Sequence, residues 1–168
     1  MLEQFLPSVI EHSKEATVYV ADNASSDNSI AYVKASFPSV KIIKNSINGG
    51  YAKGYNDALK ELNEDLFCLL NNDVEVTEGW LNPIIEQFTT TNIAIAQPLI
   101  LDYKDKSKFE YAGAAGGFID KYGFPYCKGR LFDTLETNNN QYNEVNTIFW
   151  ASGACMFIKS NIFKELKG

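Results

Sequence analysis

The fold of this chain is decided by the stretch Val18-Tyr19-Val20-Ala21-Asp22-Asn23-Ala24-Ser25-Ser26-Asp27. Residues 17–21 form a continuous β-prone run, which is typical of a strand buried on both faces. The polar residues that follow favour turns and helix N-caps. A helix is predicted over 28–36, and it ends before Pro38 because a proline disfavours helical backbone in the residue before it.

The same order of strand, polar loop and helix recurs through the first 97 residues. Further strands are predicted at 40–43, 66–70 and 93–96, and helices at 2–12, 51–62 and 80–88. This alternation predicts βαβ units, which build an α/β fold with a mostly parallel sheet and helices on both faces.

The pattern changes after Pro98. Residues 103–142 are rich in Gly, Asn and aromatic residues, and we predict a long loop region with short strands. Its aromatic side chains either stack on a sugar ring or belong to an ordinary core; they include Tyr111, Phe118, Tyr122, Phe124 and Tyr126. Regular structure is predicted to return at 147–158, followed by a helix at 160–166.

Composition limits the classes of function. The 168 residues are 45% hydrophobic and 21% charged, which suits one domain with a buried core. The net charge of −6 argues against a nucleic-acid-binding protein, since such proteins present a basic face. An anionic ligand would have to be held by local groups, such as backbone N–H groups, a helix N-terminus or a metal ion.

The cellular location is indicated by what the sequence lacks. Cys68, Cys127 and Cys155 are too widely spaced for a disulfide framework or a zinc site, so we interpret them as reduced thiols. Neither a signal peptide nor an apolar run of about 20 residues is present. These features predict a cytoplasmic protein. The single histidine, His12, is interpreted as a surface residue of an acidic helix.

Three polar loops follow predicted strands, at the strand ends where open parallel sheets bind ligands. In the first loop, the Asp22 carboxylate could accept hydrogen bonds from a base or a ribose, or it could serve only its own turn. In the second, paired glycines precede a helix N-terminus at 48–56, which suits phosphates or ribose. A glycine-rich turn without a ligand is the alternative. Gly54 costs about 1 kcal/mol relative to Ala inside a helix, which indicates a close approach there.

The third loop is Asn71-Asn72-Asp73, with Glu75 two residues further on. A carboxylate at the end of a strand can hold Mg²⁺ or Mn²⁺ together with phosphate oxygens and water. The alternative is a loop carboxylate without a metal. We predict that the tips of the three loops converge on one crevice that binds a diphosphate through the cation.

Four segments, in order, resemble glycosyltransferase family 2, whose members have the GT-A fold. They are Val18 to Ser29, Asn48-Gly49-Gly50-Tyr51-Ala52-Lys53-Gly54-Tyr55-Asn56, Leu69-Leu70-Asn71-Asn72-Asp73-Val74-Glu75-Val76, and Trp150-Ala151-Ser152-Gly153-Ala154-Cys155-Met156. The resemblance is greatest to the rhamnosyltransferase-like branch, which serves bacterial surface polysaccharides. It implies a Rossmann-like α/β domain that transfers a sugar.

The resemblance also implies roles for individual residues. It assigns nucleotide binding to Asp22, Asn23, Asn48, Gly50, Asn56 and Asn71, and the divalent metal, Mg or Mn, to Asp73. It assigns the donor sugar and acceptor to Trp150, Ser152, Gly153 and Ala154. The donor would be a nucleotide-diphosphate sugar and the acceptor a saccharide or lipid-linked saccharide, with inversion at the anomeric carbon. The full-length protein would associate peripherally with the inner face of the membrane.

Two departures from the family pattern shape our expectations. The family begins with an apolar strand, whereas this chain begins at the helix that would follow it, and the catalytic base would lie beyond Gly168. We therefore expect a single incomplete GT-A domain, with a nucleotide-binding half at 1–97 and an incomplete donor and acceptor half at 98–168. It would be inactive alone, and its open strand edge would favour a homodimer.

Other functional classes fit less well. The main alternative is a non-catalytic fragment that binds nucleotide sugars without turnover. A sugar-phosphate nucleotidylyltransferase would need a glycine-rich basic loop near the N-terminus, and a Rossmann dehydrogenase would need the G-x-G-x-x-G fingerprint. The sequence contains neither motif.

Overall fold

The structure, a computed structural model, describes residues 1–111 and 113–168. Its helices are α1 (Leu2–His12), α2 (Ser29–Ser36), α3 (Gly50–Leu59), α4 (Asn82–Thr90) and α5 (Ser160–Leu166). Its strands are β1 (Tyr19–Asp22), β2 (Lys41–Lys44), β3 (Leu66–Leu70), β4 (Ile95–Ala96), β5 (Gly117–Ile119), β6 (Pro125–Cys127), β7 (Arg130–Leu131), β8 (Thr134–Leu135) and β9 (Cys155–Lys159). Within these described ranges, no helix has the length and apolar character needed to cross a bilayer.

The predicted bounds of α1, β3 and α5 are confirmed, whereas those of α4 are wrong at the N-terminal side. Trp80 was expected in that helix but lies in the turn before it, where its backbone N–H bonds to the carbonyl oxygen of Thr77. Pro83 explains the later start, because proline fits the first turn of a helix and breaks the interior. Gly79 has a φ of 72°, and the residues around it form the turn that precedes α4.

The chain divides into two compact units. Unit 1 contains Met1–Phe67, Glu75–Asn82 and Ile158–Gly168, and unit 2 contains Cys68–Val74 and Pro83–Phe157. Each unit collects segments that are distant in sequence and close in space. The predicted nucleotide-binding half at 1–97 and donor and acceptor half at 98–168 stay a prediction.

Unit 1 has its hydrophobic core between its helices and its parallel strands. Leu6 of α1, Val33 of α2 and Val40 before β2 are buried together. The partly buried side chains around them are Leu2, Val9, Ile10, Val18, Val20, Tyr32, Phe37 and Ile42. The parallel register of β1 and β2 pairs Asp22 with Lys44, so the two polar loops leave the pair at the same end.

The described residues form two further sheets. One has the strand order β3-β9-β4, and the other, within unit 2, is an antiparallel sheet of order β5-β6-β7-β8. The latter occupies the region predicted as a long loop with short strands. Its strands contain only two or three residues each, which is too short for the alternation that reveals a strand in a sequence.

Candidate functional site

The loops after β1 and β2 are joined by a network of three asparagines, Asn23, Asn45 and Asn48, which we call the asparagine cluster. Asn23 Nδ2 donates to Asn48 Oδ1 at 2.9 Å and to the carbonyl oxygen of Gly50 at 3.1 Å. Asn45 Nδ2 donates to Asn23 Oδ1 at 3.2 Å and to the carbonyl oxygen of Gly54 at 2.9 Å. The network therefore fixes the end of β1 against the first turns of α3.

Gly54 is explained by this network. A Cβ atom at Gly54 would lie 3.0 Å from Asn23 Nδ2 and 3.1 Å from Asn23 Cγ, closer than an ordinary contact. The close approach predicted from its position inside a helix is thus made by a side chain of the neighbouring loop. Gly50 has a φ of 78°, a conformation that glycine adopts without steric cost, and its N–H donates to Asn48 Oδ1 at 3.0 Å.

Asp22 lies at the end of β1 and is 8% exposed. Its carboxylate accepts a hydrogen bond from Ser25 N at 2.9 Å, and its carbonyl oxygen accepts one from Asn45 N at 2.9 Å. The carboxylate therefore serves its own turn, as the alternative interpretation expected. An ionised carboxylate has several acceptor positions, so one such bond leaves capacity for a ligand.

Asn56 does not join the asparagine cluster. It lines a separate cavity of unit 1 with Lys60, which directly follows α3, and with Phe163 and Lys164 of α5. The helical repeat explains this placement, since each residue turns by about 100° and Asn56 faces about 200° away from Gly54. Its predicted part in nucleotide binding stays a prediction.

Asn71 and Asp73 follow β3 in unit 2. Asn71 is half-buried, and its backbone N–H donates to the carbonyl oxygen of Ala154 at 3.0 Å. Asp73 lies exposed in the turn that follows. Residues 1–111 and 113–168 contain no group of three or more His, Cys, Asp or Glu side chains that could enclose a cation. A cation at this loop would have Asp73 as a single carboxylate ligand beside phosphate oxygens and water, and the predicted part of Asp73 in metal binding stays a prediction.

Ser152 is held in place by Gln97, a residue that the sequence analysis did not select. Gln97 Oε1 accepts a hydrogen bond from Ser152 N at 2.6 Å, and its Nε2 donates to the carbonyl oxygen of Gly113. A Cβ atom at Gly113 would lie 2.6 Å from Ser152 Cβ. Ser152 is buried, and its Oγ accepts a hydrogen bond from Ala154 N at 3.3 Å. The sequence did contain a signal for Gln97, because this residue is polar and directly follows the strand predicted at 93–96.

Trp150 packs on the first residue of β5. A Cβ atom at Gly117 would lie 1.9 Å from Trp150 Cδ2, so the glycine leaves the space that the indole fills. Gly117 N also donates to the carbonyl oxygen of Trp150 at 3.2 Å, and Trp150 Nε1 donates to that of Phe118 at 2.9 Å. The half-buried indole is thus fixed by packing and hydrogen bonds in the segment predicted to face the donor sugar.

Comparison with known proteins identifies relatives in both sequence and structure. The chain is 24% identical over 185 residues to N-acetylglucosaminyl-diphospho-decaprenol L-rhamnosyltransferase of two Mycobacterium tuberculosis strains, CDC 1551 / Oshkosh and ATCC 25618 / H37Rv. Each match covers 99% of this chain and 60% of the relative, so the chain spans about three fifths of the length of these proteins.

A solved structure and a family model complete the comparison. The mannosyltransferase PcManGT from Pyrobaculum calidifontis, in complex with GDP-Man and Mn²⁺, matches with a TM-score of 0.64 and 14% identity. That match covers 99% of this chain and 43% of PcManGT, and it confirms the α/β fold of the GT-A type. The family model described as "Glycosyl transferase family 2" matches residues 1–166. The chain therefore belongs to glycosyl transferase family 2.

Proposed function

We propose that this chain is the donor-binding part of a glycosyltransferase that moves a sugar from a nucleotide-diphosphate sugar to an acceptor hydroxyl. The observation that carries the proposal is the asparagine cluster. It locks the loop after β1 to the first turns of α3 with four side-chain hydrogen bonds from Asn23 and Asn45. A preformed polar loop of this kind binds a ligand without the cost of ordering the loop.

The chemistry of unit 1 suits the nucleoside. The Asp22 carboxylate can accept hydrogen bonds from a base N–H or from ribose hydroxyls. The N-terminus of α3, which begins at Gly50, presents backbone N–H groups that favour an anionic group. These local groups supply the affinity that a chain with a net charge of −6 cannot obtain from a broad positive field.

In unit 2, Asp73 is the proposed ligand of Mg²⁺ or Mn²⁺. Its carboxylate is exposed, so it can bind a cation that is bound at the same time by a diphosphate. A bound cation would supply stabilisation of the negative charge that develops on the departing nucleoside diphosphate. The Asn71 side chain is proposed to hydrogen-bond the ribose. Trp150, Ser152, Gly153 and Ala154 are proposed to border the donor sugar and the acceptor.

The acceptor is proposed to be a lipid-linked saccharide of bacterial surface polysaccharide synthesis. The support comes from the two relatives above, whose name states transfer of L-rhamnose to an N-acetylglucosaminyl-diphospho-decaprenol. Transfer would proceed by a single displacement with inversion at the anomeric carbon. The full-length protein would then act in the cytoplasm, at the inner face of the membrane.

Self-association is a further part of the proposal. Within the described residues, β1 forms strand pairs with β2 alone, so the other edge of β1 is open to pairing with a second copy. Light scattering of the purified chain at increasing concentration tests the homodimer. A mass that stays at that of one chain would contradict it.

Isothermal titration calorimetry with GDP, UDP and dTDP, each with and without Mn²⁺, tests the proposed function. We expect one nucleotide to bind only when Mn²⁺ is present. The double variant Asp22→Asn/Asn48→Ala should abolish this binding. Asn63→Ala, which changes an exposed asparagine after α3, is the matched control. Failure of every nucleotide to bind in the presence of Mn²⁺ would contradict the proposal.

A transfer assay with labelled nucleotide sugar and acceptor separates the alternative functions. Nucleotide binding without transfer would assign the chain as a non-catalytic nucleotide-sugar-binding fragment. Transfer by the chain itself would contradict the expected lack of activity in isolation.

A further inference from the structure

The dipeptide Asn48-Gly49 lies in the loop that connects β2 to α3. Both residues are exposed, and neither belongs to a helix or a strand. An asparagine side chain can be attacked by the backbone nitrogen of the residue that follows it, and glycine hinders this attack least because it has no Cβ atom. The local sequence and its exposure therefore permit the side chain of Asn48 to react with its own backbone.

The hydrogen bonds of Asn48 favour an attack at its side-chain carbon, Cγ. Asn48 Oδ1 accepts from Asn23 Nδ2 at 2.9 Å and from Gly50 N at 3.0 Å. Since a backbone N–H can only donate, the bond from Gly50 N identifies which atom of the Asn48 amide is the oxygen. An attack at Cγ moves negative charge onto this oxygen, and the two N–H donors directed at it stabilise that charge.

The two nitrogen atoms that take part in the reaction are not engaged by other groups of the protein. Within residues 1–111 and 113–168, no hydrogen bond uses Gly49 N, the attacking atom, or Asn48 Nδ2, the leaving group. The bond from Gly50 N to Asn48 Oδ1 closes an Asx turn, which brings the side chain next to the peptide group that contains Gly49 N. The reaction therefore breaks no hydrogen bond at either nitrogen.

We propose that Asn48 is a site of spontaneous deamidation, with water as the only other reactant. Gly49 N forms a bond to Asn48 Cγ as the Cγ–Nδ2 bond breaks, and Nδ2 leaves as ammonia with the proton from Gly49 N. The product is a cyclic imide, which water then opens. Cleavage at Cγ gives aspartate, and cleavage at the main-chain carbonyl gives isoaspartate. The Asx turn supplies the proximity that accelerates an intramolecular attack.

The aspartate formed at position 48 leaves the asparagine cluster intact. Asn48 joins the cluster only as an acceptor, and a carboxylate oxygen accepts the same two hydrogen bonds more strongly. A carboxylate before the N-terminus of α3, which begins at Gly50, also interacts favourably with the helix dipole. Conversion to aspartate therefore keeps or raises the stability here, in contrast to Asn45, whose side chain donates its hydrogen bonds.

The same carboxylate opposes nucleotide binding. This consequence rests on the proposed function, in which the N-terminus of α3 receives an anionic group. The nearby charges are those of Lys44, which pairs in register with Asp22, and of Lys53, whose Nζ lies 2.6 Å from Asp57 Oδ2. These charges cancel, so a further carboxylate makes the loop negative. It occupies the helix N-terminus from within the chain and repels the phosphates.

Peptide mapping by mass spectrometry after incubation at mildly alkaline pH tests the modification. We expect conversion of amide to acid to be at least about tenfold faster at Asn48 than at Asn63, an exposed asparagine that is followed by glutamate. Gly49→Ala should slow the conversion, because the new Cβ atom hinders the attack. The nearest atoms to that Cβ belong to the flexible side chain of Lys53, and circular dichroism checks that the variant folds.

The variant Asn48→Asp tests the consequence of the modification. We expect its stability in urea to equal or exceed that of the native chain, and its nucleotide affinity in Mn²⁺ to fall at least about tenfold. Asn63→Asp adds the same charge at an exposed site after α3 and is the matched control. It should bind nucleotide like the native chain.

Other outcomes would overturn the inference. Conversion at Asn48 that is no faster than at Asn63 would remove the modification site. Native affinity or a clear loss of stability in Asn48→Asp would remove its consequence. The mass measurement needs no nucleotide, so it separates the two proposals. Conversion at Asn48 in a chain that binds no nucleotide overturns the proposed function alone, and nucleotide binding by a chain that retains the Asn48 amide overturns the modification alone.

Discussion

Asn45 Nδ2 donates a hydrogen bond to the carbonyl oxygen of Gly54, 2.9 Å away, and a second to Asn23 Oδ1 at 3.2 Å. This one side chain therefore connects the loop after β1, the loop after β2 and helix α3. It makes no contact that requires a ligand, so its contribution can be measured in the free protein as well as in the complex.

Asn45→Asp should lower both stability and nucleotide affinity. The aspartate has the same shape but donates no hydrogen bond, so its oxygen would face the oxygens of Asn23 and Gly54. Loss of the two bonds should cost about 2 kcal/mol of the free energy of unfolding, measured in urea. Asn63→Asp, at an exposed site, is the control. Native-like stability and affinity in Asn45→Asp would contradict the role of the asparagine cluster.

Asp73→Asn should weaken nucleotide binding only when Mn²⁺ is present. The amide is a poorer ligand for a hard cation than the carboxylate, so we expect the affinity in Mn²⁺ to fall at least about tenfold. The stability should change by less than about 0.5 kcal/mol because the side chain is exposed. Calorimetry with and without Mn²⁺ measures the difference, and Asp65→Asn is an exposed acidic control. An equal affinity in Mn²⁺ would exclude Asp73 as the metal ligand.

Gly117→Ala should destabilise the protein far more than Gly123→Ala. The new Cβ atom at Gly117 would overlap the Trp150 indole, with 1.9 Å to Cδ2, and should cost about 3 kcal/mol. At Gly123 nothing lies within 4 Å, and the cost of about 1 kcal/mol comes only from the φ of 91°. Urea unfolding followed by circular dichroism compares the two. A smaller loss at Gly117 would show that the segment around Trp150 packs differently.

The hydrogen bond from Tyr19 Oη to Glu64 Oε1, 2.6 Å long, should make stability depend on pH. The bond lowers the pKa of Glu64 below its ordinary 4.5 and raises the pKa of Tyr19 above its ordinary 10.0. The contribution of Glu64 is therefore present above pH 4.5 and lost as the pH falls through its lowered pKa. That of Tyr19 is present below pH 10.0 and lost as the pH rises through its raised pKa.

Tyr19→Phe tests this dependence. Because both groups are half-exposed, the bond should contribute only about 1 kcal/mol near neutral pH. The stability difference between native and variant should shrink as the pH falls through the lowered pKa of Glu64, because a protonated carboxyl is a weaker acceptor than a carboxylate. Urea unfolding at a series of pH values from neutral downward measures it, with Tyr32→Phe of the same unit as the control. A stability difference that stays constant over this series would show that ionisation of Glu64 does not strengthen the bond.

The sequence by itself determined the class of fold and the family. The strands are visible in the sequence as continuous apolar runs, and the polar residues that follow Ala21, Ile43 and Leu70 mark the strand ends, because local composition and short-range turn chemistry decide both. The order of those motifs was sufficient for the resemblance to glycosyl transferase family 2, which the family model over residues 1–166 confirms. That the three loop tips share one crevice stays a prediction.

Only the tertiary structure decided which side chains meet. Asn45 and Gln97 both follow predicted strands, but their hydrogen-bond partners lie 22 and 55 residues away, and no local pattern identifies partners at such a distance. The sequence predicted a close approach at Gly54, and only the structure showed that the Asn23 side chain makes it. The antiparallel sheet of unit 2 likewise depends on pairing between strands too short to show a period, which places the turns at 120–124 and 132–133 at the same end of one sheet.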